Sequence, residues 1–197
     1  MELCILLRHG ESVYNVEERI NGDPEISVAL SDHGREEAAQ LALHIACVGI
    51  DVCVHTRFLR TSETARLALS ERAVDVPFAC EPLLDDIGAG DLEGQPMKEF
   101  AAWREAHGPK DPFPGGESVY GAAGRFAQGF QRLADRPEDV VLAVCHELPI
   151  RFAINAASRT GNLERPEHPI ANATAYLFER SALISAAAGI EACIGSD

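Results

Sequence analysis

The stretch LCILLRHGES, residues 3–12, decides how the chain folds. Its first five residues are apolar and the run ends abruptly at Arg8, a pattern typical of a short strand that is buried on both faces. The run is too short to span a bilayer and lacks the basic start of a targeting segment. Arg8 and His9 therefore follow directly after a buried strand, at the edge of an open α/β sheet where ligands bind.

Strand-like and helical patterns alternate along the rest of the chain. Apolar runs predict further strands at 52–55, 140–145 and 173–178. Helical spacing predicts helices over about 31–48, 62–69, 96–107 and 118–134, with a loop at 109–116. This alternation predicts an α/β fold, a three-layer α/β/α sandwich around a mainly parallel sheet. No repeat or linker-like stretch divides the chain, so we expect one domain over residues 1–197.

The composition of the chain excludes some classes of function. Its formal net charge of −14 repels nucleic acid and anionic lipid, so we expect neither a nucleic-acid nor a membrane partner. The six cysteines include no Cys-x-x-Cys pair, which favours a reducing, cytoplasmic location. His146-Glu147 lacks the second histidine that a zinc-protease motif needs, and the other histidines show no ligand spacing. We therefore expect no metal and no cofactor.

Charged residues also follow two other predicted strands. After the strand at 52–55, the sequence TRFLRTSETA, residues 56–65, puts Arg57 and Arg60 at the start of a helix, where anions bind readily. After the strand at 140–145 comes His146, again where a strand gives way to a helix. Because the carboxyl ends of parallel strands meet at one edge of a sheet, we expect these side chains to converge with His9.

Five ordered motifs resemble those of the histidine phosphatase superfamily, also called the phosphoglycerate mutase-like family. They are RHGE at 8–11, the arginine block ending in Thr64-Ala65, LDDIGAGDLEG at 84–94, PGGES at 114–118 and the segment around His146. The resemblance extends from Leu3 to about Phe178. It implies a phosphoglycerate mutase-like fold and a reaction that passes through a phosphohistidine without a metal ion.

The resemblance also implies a role for each matching residue. His9 becomes the nucleophile, Arg8 and Arg60 hold the phosphate, His146 puts a second imidazole on the phosphoryl oxygens, and Asn15 adds an amide donor. These residue types suit the chemistry, because charged, fork-shaped guanidinium groups neutralise a phosphate dianion. Attack by a neutral imidazole then splits one slow displacement into two faster ones.

Two of these assignments involve a choice between neighbours. Arg60 is preferred to Arg57 because it aligns with the superfamily's arginine, three residues before the tripeptide Glu63-Thr64-Ala65 that ends the arginine block. The superfamily's proton donor falls on Asp86, with Asp85 as its competitor. A proton donor needs a raised pKa, and we expect burial near Ile87 and the like charge of Asp85 to raise that of Asp86.

Glu147 stands where the superfamily commonly has a glycine. A carboxylate beside the phosphate would repel it unless the side chain points away. We therefore expect Glu147 to face the leaving-group side, as a substrate-binding residue that favours a cationic substrate or assists as the acid.

The sequence favours a phosphatase that hydrolyses a small phosphate monoester over two alternatives. A phosphoglycerate mutase would use the same site, but mutases of this superfamily carry a longer insertion after the acid motif and an adjacent arginine pair, which residues 94–117 lack. A non-catalytic phospho-ligand-binding protein is disfavoured because His9, Arg8, Arg60 and His146 are all present. The natural substrate and the oligomeric state, monomer or homodimer, stay open.

Overall fold

A five-stranded sheet forms the centre of the molecule. The computed structural model describes residues 1–158, 162–164 and 169–195. The strand order is β3-β2-β4-β1-β5, with bounds Leu3–Arg8 (β1), Val52–His55 (β2), Phe78–Cys80 (β3), Val140–Cys145 (β4) and Ala175–Glu179 (β5). β1, β2, β3 and β4 run parallel, and β5 is antiparallel to β1 at the sheet edge. The prediction of a mainly parallel sheet is confirmed.

Helices cover both faces of this sheet. They are Val13–Val16 (α1), Asp32–Ile45 (α2), Leu59–Ala68 (α3), Met97–Ala106 (α4), Val119–Ala134 (α5), Glu147–Ala157 (α6) and Arg180–Gly195 (α7). Within the described residues, none is long and apolar enough to cross a membrane.

Successive side chains of β1 enter two different cores, as the alternation of a strand requires. Leu6 packs in one core with Phe126 of α5, Phe152 of α6 and residues of α7. Leu7 packs in the other with Leu41 of α2 and residues of α3. The strand is buried on both faces because each face is covered by a layer of helices, and the three-layer α/β/α sandwich is confirmed.

Three element boundaries differ by two or more residues from those expected, and one of them is the end of α2, at Ile45 rather than 48. α3 begins at Leu59 rather than 62, and Ser62 lies inside the helix with its hydroxyl donating to the Leu59 carbonyl at 3.0 Å. The last strand begins at Ala175 rather than 173, because Ala173 has a left-handed backbone with φ of 46° that cannot continue a strand. The early start of α3 brings Arg60 into its first turn.

Besides two short 3-10 turns, three elements escaped prediction: α1, β3 and α7. In α7 the buried residues Leu183, Ala186, Ala187 and Ile190 follow ordinary helical spacing. Alanines also occupy the other faces of this helix, so the sequence does not show which face is buried. β3 has three residues and half-exposed side chains, too few for a strand pattern to emerge.

Three strands end at the edge that carries the charged residues. Arg8 pairs with Cys145 and His55 with Val144, so β1, β4 and β2 finish side by side. The loop that follows β1 is held there by its backbone N–H groups, with His9 donating to the Cys145 carbonyl at 3.1 Å and Gly10 to the Thr64 hydroxyl at 3.0 Å. Gly34 of α2 packs directly on this loop, because a Cβ there would lie 2.0 Å from the Glu11 carbonyl oxygen.

Substituting Gly34→Ala is expected to lower the free energy of unfolding by about 1–3 kcal/mol, since the new methyl group has rigid backbone as its neighbour. The gain in helix propensity, about 1 kcal/mol, is too small to offset this clash. Gly49→Ala is the control, because a Cβ at Gly49 meets nothing within 4 Å. Urea unfolding of both variants measures the difference, and equal stabilities would contradict the predicted contact.

Candidate active site

The candidate active site lies where three strands and a loop meet. His9 follows β1, His146 is the N-cap of α6 after β4, and Arg60 lies in the first turn of α3 after β2. Asp86 comes from the loop between two 3-10 turns, Pro82–Leu84 and Gly90–Leu92. Separate parts of the sequence thus supply side chains to one site.

His9 is held as a neutral imidazole with a defined tautomer. Its Nδ1 donates to the Gly10 carbonyl at 2.7 Å, so Nε2 carries the lone pair and accepts from Arg60 Nε at 3.0 Å. The pKa of His9 lies well below its ordinary value, mainly because the imidazole is buried and secondly because of the charge of Arg60. An unprotonated nitrogen therefore faces a guanidinium group.

Arg60 is buried and joins the site together. Its Nη2 lies 3.1 Å from Asp86 Oδ2 and 3.0 Å from His146 Nδ1, and its Nη1 donates to the Asn21 side-chain oxygen. Burial lowers the pKa of Arg60 to about 10, which leaves it charged at neutral pH. The N–H groups of Arg60 thus fix the side chains of His9, Asp86 and His146 at the same time.

Arg8 approaches the same space from β1. Its Nη1 donates to the Ile170 carbonyl and lies 3.2 Å from Glu147 Oε2. Its Nε is buried without a hydrogen-bond partner among the described residues. A buried, charged N–H group without a partner is costly, so this donor is suited to an anionic ligand.

The tautomer of His146 follows from a chain of hydroxyl groups. Thr61 Oγ1 donates to the Phe58 carbonyl at 2.8 Å, so Thr56 Oγ1 donates to Thr61 and accepts from His146 Nε2, both at 2.9 Å. The Nδ1 of His146 therefore presents a lone pair to Arg60. Burial lowers the pKa of His146. For Nδ1 to donate to a phosphoryl oxygen, the imidazole of His146 would therefore have to take up a proton when the phosphate binds.

Asp86 and Asp85 have different surroundings. Asp86 lines the pocket and lies 3.6 Å from His146 Nδ1, whereas Asp85 is held by the backbone and guanidinium of Arg57. Burial raises the pKa of Asp86, opposed by the charge of Arg60. The negative charge that also raises the pKa of Asp86 is that of Glu147. The expectation that Asp85 supplies this charge was wrong, because Asp85 is neutralised by Arg57.

An ion pair that the sequence did not predict as part of the site holds the loop of Asp86. Arg125 of α5 donates to the carbonyl groups of Leu83, Asp85 and Asp86 at 2.8–3.1 Å. Glu117 accepts from Arg125 and, at 2.9 Å, from Gly88 N–H. Both ends of the loop are thereby fixed to the start of α5, which sets the position of the Asp86 carboxyl group.

Two asparagines line the pocket. The side-chain oxygen of Asn15 accepts from Ser12 N–H at 2.9 Å and completes a capping box. Its Oδ1 is therefore occupied within the chain, and the role of its amide group as a donor to the ligand stays a prediction. Asn21 was not predicted, and it accepts from Arg60 while its own amide donates to Glu93 at 3.1 Å.

These side chains surround one pocket of about 210 Å³. That volume is smaller than the roughly 300–1,000 Å³ of sites that enclose drug-sized ligands, so the pocket suits a small molecule. No group of three or more His, Cys, Asp or Glu within the described residues is arranged to hold a metal ion. The expectation that the reaction needs no metal stays a prediction.

Comparison of the sequence with models of protein families shows which family the chain belongs to. The model of the histidine phosphatase superfamily (branch 1) matches residues 4–182. The chain belongs to this superfamily. Its resemblance to the superfamily in five sequence motifs is thereby confirmed.

Two relatives within the superfamily bear different names. The chain is 32% identical to 2,3-bisphosphoglycerate-dependent phosphoglycerate mutase 2 of Gloeobacter violaceus, over 66% of the chain and 62% of that protein. It is 31% identical to human 6-phosphofructo-2-kinase/fructose-2,6-bisphosphatase 4, over 88% of the chain and 37% of that protein. The chain thus spans less than two thirds of the length of either relative.

Solved structures share the fold over most of the chain. The alpha-ribazole phosphatase from Shigella flexneri is 25% identical, with a TM-score of 0.69 over 79% of each chain. Bacillus stearothermophilus YhfR has a TM-score of 0.75 over 89% of each chain, at 24% identity. The chain thus shares its fold with both of these proteins.

The structure brings the predicted site residues of this superfamily member together. Lining the pocket are Arg8, His9, Asn15, Arg60, Asp86 and Glu147. His146 is fully buried and reaches the site through Arg60. Arg57 is about half exposed and points to Asp85, outside the pocket lining. The supporting residues Asn21, Thr56 and Arg125 were missed because their partners are distant in sequence.

Substituting Arg60→Lys is expected to weaken binding of inorganic phosphate by at least about tenfold, because lysine keeps the charge but loses the fork that reaches several groups. Arg57→Lys is the matched control, with an expected change of less than about threefold. Isothermal titration calorimetry measures both affinities. An equal loss in the two variants would contradict the assignment of Arg60.

Proposed function

We propose that the chain is a phosphatase that hydrolyses small phosphate monoesters through a phosphohistidine on His9. The observation that carries the proposal is the state of His9 itself. Its Nε2 is unprotonated, buried and aimed at the same space as the guanidinium groups of Arg8 and Arg60. The lone pair of Nε2 accepts from Arg60 Nε at 3.0 Å. A phosphate group that takes over this N–H donor would release the lone pair for attack on phosphorus, while the guanidinium groups neutralise the phosphate charge.

In the first step, His9 Nε2 attacks the phosphorus and the bond to the leaving oxygen breaks. Arg8 and Arg60 bind the phosphoryl oxygens, and the unpartnered Nε of Arg8 supplies one of the donors. Asp86, whose pKa is raised by burial, donates its proton to the leaving alkoxide. The products of this step are a free alcohol and a phosphohistidine.

In the second step, water attacks the phosphohistidine. The Asp86 carboxylate takes a proton from that water, the phosphorus–nitrogen bond breaks, and its electron pair returns to His9 Nε2. The Gly10 carbonyl keeps the imidazole oriented throughout by accepting from Nδ1 at 2.7 Å. The residues return to their starting protonation states, and the proposed steps invoke no metal ion or cofactor.

Mutase chemistry at the same site is the second candidate, because a relative bears that name. A mutase transfers the phosphoryl group to a second alcohol instead of water. A phosphoglycerate carries a carboxylate, and Glu147 lines the pocket where it would bind. The presence of this acid favours hydrolysis of other esters over phosphoglycerate isomerisation.

Substituting His9→Ala is expected to abolish phosphate release from a panel of small monoesters, 3-phosphoglycerate included, with EDTA present throughout. The wild-type protein should release phosphate under the same conditions. Isomerisation of 3-phosphoglycerate would favour the mutase instead. Turnover that persists in His9→Ala, or none in wild type across the panel, would overturn the proposal.

Substituting Asp86→Asn is expected to separate the two steps. With p-nitrophenyl phosphate, whose leaving group needs no proton, the variant should give a burst of nitrophenol equal to the enzyme concentration and then slow turnover. With an alkyl phosphate, kcat should fall by about 10²–10⁴ without a burst. The alkyl rate of wild type should decline as pH rises through the raised pKa of Asp86, and the variant should lack that decline.

Asp85→Asn is the matched control for this experiment. It removes the partner of Arg57 but no residue that lines the pocket, so it should lower stability and show no burst. Rapid-mixing kinetics with the two substrates distinguishes the variants. If Asp85→Asn gave the burst and Asp86→Asn did not, the proton donor would be Asp85.

A further inference from the structure

The pocket has two halves with different chemistry. Arg8, His9, Arg60 and Asp86 form the phosphate half, which the proposed reaction uses. The rest of the lining, here called the leaving-group half, has twelve residues, and six of these have apolar or aromatic side chains: Tyr14, Ile20, Ile87, Met97, Phe100 and Leu148. Such a lining favours an alcohol with an apolar surface, because burying that surface releases water at a gain of about 25 cal/mol per Å².

Glu147 adds a negative charge to this apolar half. Its two carboxylate oxygens are held by Arg8 on one side and Arg151 on the other. It is the first residue of α6, directly after His146, so its position is fixed by the same turn that places the second histidine. The carboxylate is therefore a built part of the pocket rather than a mobile surface charge.

Phosphate binding changes the balance of charge around Glu147. A phosphate group competes with Glu147 for the guanidinium of Arg8, which leaves Arg151 as the partner described for the carboxylate. A second anion on the substrate would then meet a carboxylate with one described guanidinium partner instead of two, whereas a cation would replace Arg8 as its partner.

Arg19 is the one cation in the described part of the leaving-group half, and it already has partners. Its Nε donates to the Gly94 carbonyl at 2.7 Å, and its guanidinium lies 4.8 Å from the centre of the Tyr14 ring. Glu17 lies 3.4 Å from its Nη1. A second phosphate or a carboxylate would have to compete with these contacts.

We infer that the natural leaving group is a small, largely apolar alcohol that is uncharged or cationic, and that Glu147 determines this preference against a second anion. The inference rests on the proposed phosphatase activity. The pocket volume of about 210 Å³ accommodates a phosphate group together with a leaving group of roughly the size of one ring.

Three aryl esters of similar shape test the charge preference: phenyl phosphate, 3-carboxyphenyl phosphate and 3-(aminomethyl)phenyl phosphate. For wild type, kcat/KM should be at least about tenfold lower for the carboxylated ester than for the other two. In Glu147→Gln this difference should shrink to about threefold or less. Ratios between esters within one variant are compared, so a general loss of phosphate binding through Arg8 cancels.

The outcomes separate this inference from the proposed function. If wild type uses the carboxylated ester as well as the others, or if Glu147→Gln leaves the ratio unchanged, the inference fails while the phosphatase stands. If none of the three esters yields phosphate and the wider monoester panel is also inert, the proposed function itself has failed.

A second pair of variants tests the apolar part. Leu148→Asn should lower the ratio of kcat/KM for phenyl phosphate to that for ethyl phosphate several-fold, because only the larger group contacts this side chain. Leu43→Asn is the control, since Leu43 is 69% exposed on α2 and outside the pocket lining. An unchanged ratio in Leu148→Asn would overturn the apolar assignment.

Discussion

The buried guanidinium group of Arg60 is the interaction on which the rest of the site depends. A buried charge is stable only if its N–H groups have partners, and those partners here are His9, Asp86, His146 and Asn21. Each partner is attached to a different element. The hydrogen bonds of this one guanidinium group therefore connect the ends of β1 and β4, the loop that contains Asp86 and the segment after α1.

A second layer of contacts keeps Arg60 and its partners in place. Thr64, one turn further along α3, accepts from Gly10 N–H and donates to the Arg60 carbonyl, so it links the β1 loop to the helix. On the opposite side, Arg125 and Glu117 fix the loop of Asp86. Site geometry of this kind is set before a ligand arrives, which is the condition for electrostatic stabilisation of a transition state without reorganisation.

The sequence predicted the parts of this arrangement that depend on local pattern. Apolar runs located β1, β2 and β4, and their polar ends located His9, Arg60 and His146 in one region. The helix of Arg60 was expected to begin at 62, after that residue, because the residues from Leu59 carry no cap signal. Its early start depends on packing rather than on propensity.

Partnerships between distant residues could not be predicted in this way. The contact of Glu147 with Arg8, or of Arg125 with the carbonyl of Asp86, depends on how α6 and α5 pack against the sheet. The same limit explains the error about Asp86, whose neighbour in sequence is neutralised by Arg57. Local sequence gives the residue types of a site, whereas packing decides which charges face each other.

The shared contacts of Arg60 also couple anion binding to protonation. Asp86 is stabilised as a carboxylate by Arg60, and the lone pair of His146 Nδ1 accepts from the same group. A phosphate dianion bound to Arg60 would take over these donors and add negative charge, and both changes favour the protonated forms of Asp86 and His146. In the proposed reaction, binding the substrate thus favours uptake from solvent of the protons that make Asp86 an acid and His146 a donor, because Arg60 contacts both side chains.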